Sequence, residues 1–442
     1  MNRAIRNIWN SEFFRNVATL ITGTSLAQAF SVVIYIILSR IYTEEDFGIF
    51  GLYMSILNIT VIFSTAKYEL AILLPKSERE AVNLLGLSGL ISVGVSLLLL
   101  LIVVPMNDLI CRWLGSEQIS TWLYFIPLST LMVGWFTSFR NFSNRQKKYK
   151  LIAGANIGQS VSNSLLKLGL GFVIAGAAGL IMGVIFGQLV GFLVFFVVHW
   201  RFQGSKAGWL KWSEMKRLGK QYSLFPKYNM WQGLLNNLSG AFPIFILSAY
   251  FSTAIAGFYT FGYMILYRPV NLVANAFYQV MFQRFVEKKH NNSSIRPEVI
   301  LFLKRSTQIL LLPFIISGIF FPEIFGFIFG AKWIEAGRYA QIILPWIFMV
   351  SLVMPLSFIP DLYKKQRVAM IIDGVKLIAR LGGLMVGVIL ENVYIGLVLY
   401  SALSTIIIGY SLFWYLQLVK SSPPVEDQEL PIETNEQDRK GI

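Results

Sequence analysis

The sequence predicts an all-α integral membrane protein of twelve transmembrane helices, arranged as two six-helix lobes around a central cationic cavity. Three observations predict it. Hydrophobic residues make up 55% of the 442 and charged residues only 14%, whereas soluble domains run nearer a quarter charged. The apolar residues fall in runs of about 20, the length a helix needs to cross a bilayer. The basic residues alternate: of 38 Lys and Arg, 30 fall on the side that carries both termini, four on the other side and four inside the runs. Such a bias orients the chain with both termini in the cytoplasm.

Each element follows from this pattern. The opening residues carry Arg3, Arg6 and Arg15 before a full-length apolar run at 17–38. No small-residue cleavage pattern follows that run, so it reads as a retained span. Further helices are predicted at 47–65, 82–104, 119–139, 151–173 and 177–199, the last two joined by a tight turn. The connection 200–222 sets Trp209, Leu210, Trp212 and Met215 among lysines and predicts a short amphipathic helix on the cytoplasmic surface. It divides a lobe at 1–199 from a lobe at 223–419. The second lobe is predicted to hold helices at 223–248, 253–281, 300–321, 339–360, 367–389 and 393–419. The run at 253–281 is long enough to require tilt or extension beyond the bilayer, and 284–299 reads as a loose connection. Residues 420–442, rich in Pro and Glu, read as a disordered cytoplasmic tail.

The halves resemble each other at an offset of 209. Leu38–Ser39 aligns with Leu247–Ser248, and Gly48 with Gly257. In both, a helix ends, a short polar turn follows, and a glycine near the next helix start permits close approach. Two six-helix copies of one orientation form a parallel repeat.

Five charges lie where charge is costly. Lys167, Arg268, Asp373, Lys376 and Arg380 sit within predicted spans. Each costs roughly 2.5–3.5 kcal/mol at the middle of a lipid-facing helix, so they are expected to face an interior. Arg268 lies furthest from either end of its span. Asp373, Lys376 and Arg380 share a helical face through spacings of three and four; Asp373 can pair with Lys376, while Arg380 has no local partner. Four cations against one carboxylate suit an anion, and phosphate or pyrophosphate fits the Arg fork and the Lys point charge. Lys67 and Glu69 are expected at the cytoplasmic mouth of the cavity, within STAKYELAILLPKSEREA at 64–81. Arg40, beside Glu44, Glu45 and Asp46, is expected at the exit. Asp373 and Glu69 are the candidates for coupling to a proton or sodium gradient. Gly179, Gly183, Gly187 and Gly191 recur every four residues, a stripe for close helix packing.

Composition excludes other chemistries. One cysteine, Cys111, and two histidines, His199 and His290, leave no multi-thiolate or His-rich metal site and no internal disulfide. No phosphate-loop, serine-elbow or zinc-helix motif occurs, so no cofactor and no enzymatic activity are expected. The net charge of +15 matches anionic inner-leaflet lipid and not nucleic acid, given the apolar background.

The stretches LSRIYTEEDFGIFGLYMSI at 38–56 and KYELAILLPKSEREA at 67–81 resemble the bacterial polysaccharide repeat-unit flippases. These are the O-antigen and exopolysaccharide translocases of the multidrug/oligosaccharidyl-lipid/polysaccharide exporter superfamily. The resemblance implies two lobes, alternating access, and translocation of undecaprenyl-pyrophosphate-linked oligosaccharide from the cytoplasmic to the periplasmic leaflet. It also implies a polysaccharide polymerase and a chain-length regulator as partners, for a chain working as a monomer among membrane lipids. No motif carries the pyrophosphate role onto single residues. That assignment, to Arg268, Lys376, Arg380 and Lys167 with Lys67 and Arg40 at the two mouths, rests on the charges. The alternatives are a drug or metabolite exporter of the same fold, which needs acidic cavity groups, and a membrane polysaccharide polymerase. A carrier of lipid-linked peptidoglycan precursor is a further reading, for which fourteen helices are the expected count.

Overall fold

A computed structural model describes residues 34–174, 176–203, 208–290, 294–363 and 365–420. The first helix up to residue 33, with Arg3, Arg6 and Arg15, and the tail at 421–442 lie outside the described residues. The described chain is all-α. Its long helices are α1 (described over 34–41), α2 (Glu44–Phe63), α3 (Glu78–Leu114), α4 (Ile126–Arg145), α5 (Tyr149–Gly171) and α6 (Ala178–Gln203). After the connection come α7 (Met230–Tyr250), α8 (Thr253–His290), α9 (Arg296–Phe329), α10 (Ile334–Val353), α11 (Gln366–Ile389) and α12 (Val393–Lys420).

Among the described residues, seven helical segments are long and apolar enough to cross a membrane: α2, α3, α6, α9 and α12, with α4 and α10 taken together with their short flanking turns. The sequence pattern predicts twelve spans. Of the other five, α1 is described only over 34–41, and α5, α7, α8 and α11 carry Lys167, Asn236, Asn237, Arg268, Asp373, Lys376 and Arg380. The groups that point to an interior are the same groups that lower the apolarity of their own helices.

Several boundaries differ from expectation. Helix α2 starts at Glu44, three residues early, because Thr43 caps it. The Thr43 hydroxyl accepts from Asp46 N–H while the Asp46 carboxylate accepts from Thr43 N–H. The acidic run Glu44–Asp46 is therefore the first turn of a helix, where negative charge is favoured. Helix α3 runs 37 residues, about 55 Å at 1.5 Å per residue, well beyond a bilayer core. The stretch 284–299, expected to be loose, is mostly helix. α8 continues to His290 and α9 begins at Arg296, with Lys288 Nζ of α8 lying 2.9 Å from Glu298 Oε1 of α9. The helix expected at 223–248 begins as a π-turn at Phe225–Asn229, with Pro226 in its first turn, before α7 proper.

The connection between the halves is anchored to α3. Asn83 brackets it: its amide donates to Trp209 O (3.0 Å) and its carbonyl oxygen accepts from Lys211 N–H (2.9 Å). A helix at Trp212–Gln221 follows, with Met215 and Leu218 buried and Trp212 exposed. Arg217, paired with Glu214 of the same helix (2.9 Å), joins it to Glu80 of α3 (2.6 Å). The apolar face of this amphipathic helix thus packs on the protein.

The segment 64–81 turns back on itself. Ala66 (φ 47°) and Lys67 (φ 65°) are left-handed, which ends α2. Tyr68, Ala71 and Ile72 are then buried with Leu84, Phe142 and Leu218. Arg145 donates to the carbonyls of Leu73 (3.4 Å), Lys76 (3.2 Å) and Ser77 (3.5 Å). Arg145→Ala removes these hydrogen bonds, so faster proteolysis within 70–78 is the expected result; cleavage rates unchanged from wild type would contradict it.

The halves meet where α2 and α8 begin. A Cβ on Gly48 would lie 2.0 Å from Thr253 O, and one on Gly257 would lie 1.7 Å from Glu44 O. Glu44 and Thr253 are 209 apart, as are Gly48 and Gly257, so the two contacts are reciprocal. A Cβ on Gly51 would meet Thr260 Oγ1 at 2.2 Å, again a pair 209 apart. Contacts of this kind arise about a two-fold axis. Beside the crossing, Ser39 Oγ donates to Phe329 O (3.2 Å), Trp333 Nε1 to Ser39 O (2.9 Å), and Lys332 Nζ to Tyr42 O (2.8 Å). Phe47 packs edge-on against Phe261 and Trp333, which stack on each other at 4.1 Å.

Candidate functional site: a cationic chamber at Arg268

Beyond the crossing of α2 and α8 lie two cavities that share Arg268. The first, about 280 Å³, is lined by Ile34, Tyr35 and Leu38 of α1, Ser160, Asn163, Ser164 and Lys167 of α5, and Arg268 of α8. The second, about 350 Å³, is lined by Phe50, Met54, Ser55 and Asn58 of α2, by Asn236, Asn237 and Ile244 of α7, and by Tyr263, Tyr267 and Arg268 of α8, among others. Small-molecule sites are commonly a few hundred Å³.

The glycine stripe explains why α5 presents its polar face so close to α6. A Cβ on Gly183 would lie 2.5 Å from Lys167 Cγ and 2.9 Å from Asn163 O, and one on Gly187 2.9 Å from Gln159 O. Lys167 is pressed inward, 3% exposed. Its ammonium donates to the Tyr35 hydroxyl (3.3 Å) and lies 4.5 Å from the Phe50 ring centre. The Arg268 guanidinium lies 4.8 Å from the centre of the same Tyr35 ring. Two cations thus converge on one tyrosine, held partly by ring faces that favour positive charge. No carboxylate lines either cavity among the described residues.

The other candidate residues are distributed differently. Lys376 Nζ meets Asp373 Oδ1 at 2.5 Å, an ion pair within one helical turn. Arg380 finds the partners that its own helix lacks. Nε donates to Ser404 Oγ and Nη1 to Ser239 Oγ, both at 2.8 Å, with the guanidinium 4.6 Å from the Trp346 ring and 5.2 Å from Tyr400. It is buried, lines neither cavity, and ties α11 to α7, α10 and α12. Removing it as Arg380→Ala deletes two charge-assisted hydrogen bonds and two ring contacts, a loss of about 3 kcal/mol. A lowered thermal midpoint of the purified protein, restored only in part by Arg380→Lys, is the expected result.

Lys67 Nζ lies 3.9 Å from Glu69 Oε1, and Glu69 is buried and accepts from the Thr65 hydroxyl. The Lys67 side chain approaches Gly233 of α7, so this pair sits where α2 ends against the second half. Arg40 donates to Ile328 O (3.2 Å) and packs beside Gly330, joining the clasp around Trp333. Sequence reasoning missed Tyr35, Asn163, Asn58, Asn236, Asn237 and Tyr267. Amides within apolar runs, above all the Asn236–Asn237 doublet, were the available signal.

Solved structures with this arrangement of helices are transporters. An inward-facing multidrug resistance MATE family transporter of the MOP superfamily matches at a TM-score of 0.59 with 13% identity, covering 91% of this chain and 96% of that one. A Vibrio cholerae MATE transporter gives 0.57 and 16% over 91% and 95%. A MOP superfamily transporter from Pyrococcus furiosus, described by a binding pocket of reversed polarity, gives 0.55 and 12% over 92% and 95%. The fold is therefore that of MOP-superfamily transporters. Comparison with curated proteins gave no match. The chain belongs to the polysaccharide biosynthesis protein family, whose model matches residues 37–338.

Proposed function

We propose that the chain is a flippase carrying undecaprenyl-pyrophosphate-linked oligosaccharide repeat units from the cytoplasmic to the periplasmic leaflet. In this reading twelve helices form two six-helix lobes that rock about the α2–α8 crossing. The connection 200–222 links the lobes, and both termini are cytoplasmic. The observation that carries it is the pairing of Lys167 and Arg268 at one chamber with no lining carboxylate among the described residues. Two fixed cations compensate a diphosphate whose bare passage through hydrocarbon is prohibitive, while the lipid tail stays in the bilayer. Membership of a polysaccharide biosynthesis family supports the same substrate class.

The cycle requires no covalent chemistry. With the starts of α2 and α8 pressed together, the chamber in this reading is entered from the ends carrying Phe63 and Met230, the cytoplasmic side in this orientation. Lys67 at that mouth draws the headgroup in, Arg268 and Lys167 hold the phosphates, and separation of the crossing releases the load outward. Arg40 acts by opening and closing with the clasp. Arg380 and the Lys376–Asp373 pair shape the second lobe, and Arg380 contributes positive potential from behind the cavity wall. Glu69 and Asp373 are each paired with a lysine, and the proposed cycle routes no coupling step through either. Polymerase and chain-length regulator would act on the released product.

A drug or metabolite exporter is the second reading, favoured by the multidrug transporters that share the fold. Proteoliposomes separate the two. A flippase moves a pyrophosphate-linked glycan and adds nothing to the passive movement that a lipophilic cation such as tetraphenylphosphonium shows in protein-free vesicles, with or without a proton or sodium gradient. Protein-dependent cation movement without glycan movement would overturn the proposal.

A further inference from the structure

The second cavity carries groups that a diphosphate does not use. Asn58 and Asn236 are exposed although both lie within helices of apolar character. Against lipid, an amide would leave its donors and acceptor unmet, so the surface they present is the cavity's. Asn237 lies beside them, one amide hydrogen given to Gly233 O at 3.0 Å. Across the cavity, Tyr259, Tyr263 and Tyr267 recur every four residues and stack in a ladder, at 6.0 Å and then 4.9 Å between centres. Trp346 stacks on Tyr263 at 5.8 Å and is itself packed against Tyr400 and Arg380. The ladder is thereby fixed from the second half, with Tyr267 at its end beside Arg268.

An amide supplies two donors and an acceptor, the set that reads vicinal hydroxyls or an acetamido group. A rigid phenol ring offers a flat face to the C–H side of a pyranose. Beyond Arg268, no charged side chain lines this cavity among the described residues, which fits a neutral sugar. Resting on the reading that Arg268 and Lys167 hold the diphosphate, we propose that the second cavity is a saccharide subsite. Asn58, Asn236 and Asn237 hydrogen-bond the sugar attached to the phosphate, and Tyr267 stacks on it. Arg268 marks the boundary between phosphate and sugar, so the protein reads the first residue of the glycan as well as its anchor.

Equilibrium binding to the purified full chain in detergent tests this. The probes are bare farnesyl pyrophosphate and farnesyl-pyrophosphoryl glucose, galactose and N-acetylglucosamine. At least one sugar probe is expected to bind about tenfold tighter than the bare lipid, the worth of one or two hydrogen bonds. That ratio falls to about one in the Asn58→Ala/Asn236→Ala double variant and in Tyr267→Leu, and persists in Tyr267→Phe, with thermal unfolding confirming that each variant is folded. A wild-type ratio of one for all three sugars, or a ratio unmoved by the variants, overturns the subsite. If Arg268→Gln leaves binding of the bare lipid intact, the diphosphate reading itself fails and the subsite falls with it. Bare binding that depends on Arg268 with no sugar preference rejects the subsite alone.

Discussion

Replacing Arg268 by Ala is expected to reduce translocation of a pyrophosphate-linked glycan by roughly 10- to 100-fold, while the protein still inserts and folds. The magnitude follows from hydrogen bonds to a charged partner, worth about 1.5–3 kcal/mol each, at 1.4 kcal/mol per tenfold. Arg268 is suited to this test because, among the described residues, no salt bridge holds it. Its guanidinium lies over the Tyr35 ring at 4.8 Å, so truncation leaves no carboxylate stranded. Lys167→Met acts on the same chamber and should add little once Arg268 is gone, because residues that hold one ligand group are not additive. Normal glycan transfer by a well-folded Arg268→Ala protein would refute its role. The measurement is initial-rate transfer in proteoliposomes at matched protein content.

The second large effect is expected at the crossing of α2 and α8. Gly257→Val introduces a branched side chain where even a Cβ would lie 1.7 Å from Glu44 O and 2.9 Å from Gly48 N. Backbone cannot yield as a flexible side chain can, so the helices must part, at a cost of about 3 kcal/mol. A shift of that size moves the equilibrium against the closed crossing by about two powers of ten. The reciprocal contact makes Gly48→Val equivalent in kind. Ser39 is fully buried beside the crossing and serves as the reporter. In a protein whose lone cysteine, Cys111, is replaced by Ser, Ser39→Cys should react slowly with a membrane-impermeant maleimide. Adding Gly257→Val should make that reaction fast and should stop transport. Unchanged labelling would show that the crossing is no gate.

The glycines show what the sequence makes legible. Gly48 and Gly257 stand out from sequence alone, as equivalent positions at an offset of 209, and the structure packs each against the start of the other's helix. The interior charges were legible for the same kind of reason: hydrocarbon penalises them, so each demands an internal surface. Where each one ends was not legible. Lys167 reaches Tyr35, 132 residues away, and Arg380 reaches Ser239, 141 residues away. Spacing along one helix finds Lys376 for Asp373 but cannot find a serine on another helix. Hydropathy also misjudged extents. It trims α3 to bilayer length and ends α8 at 281, while polar ends of both continue as helix beyond the apolar run. The π-turn at Phe225–Asn229 opens with Pro226, and no local pattern encodes it. Asn58 was hidden by its neighbours, since a single Asn inside an apolar helix costs the pattern little.

Headgroup selectivity tests the central claim most directly. Binding of farnesyl pyrophosphate and of farnesol to the purified chain should be measured across a range of ionic strengths. The chamber at Lys167 and Arg268 requires that the pyrophosphate bind and the alcohol not, with affinity falling in Lys167→Met and Arg268→Gln. Equal affinity for the two lipids, or pyrophosphate binding indifferent to both substitutions, would contradict it.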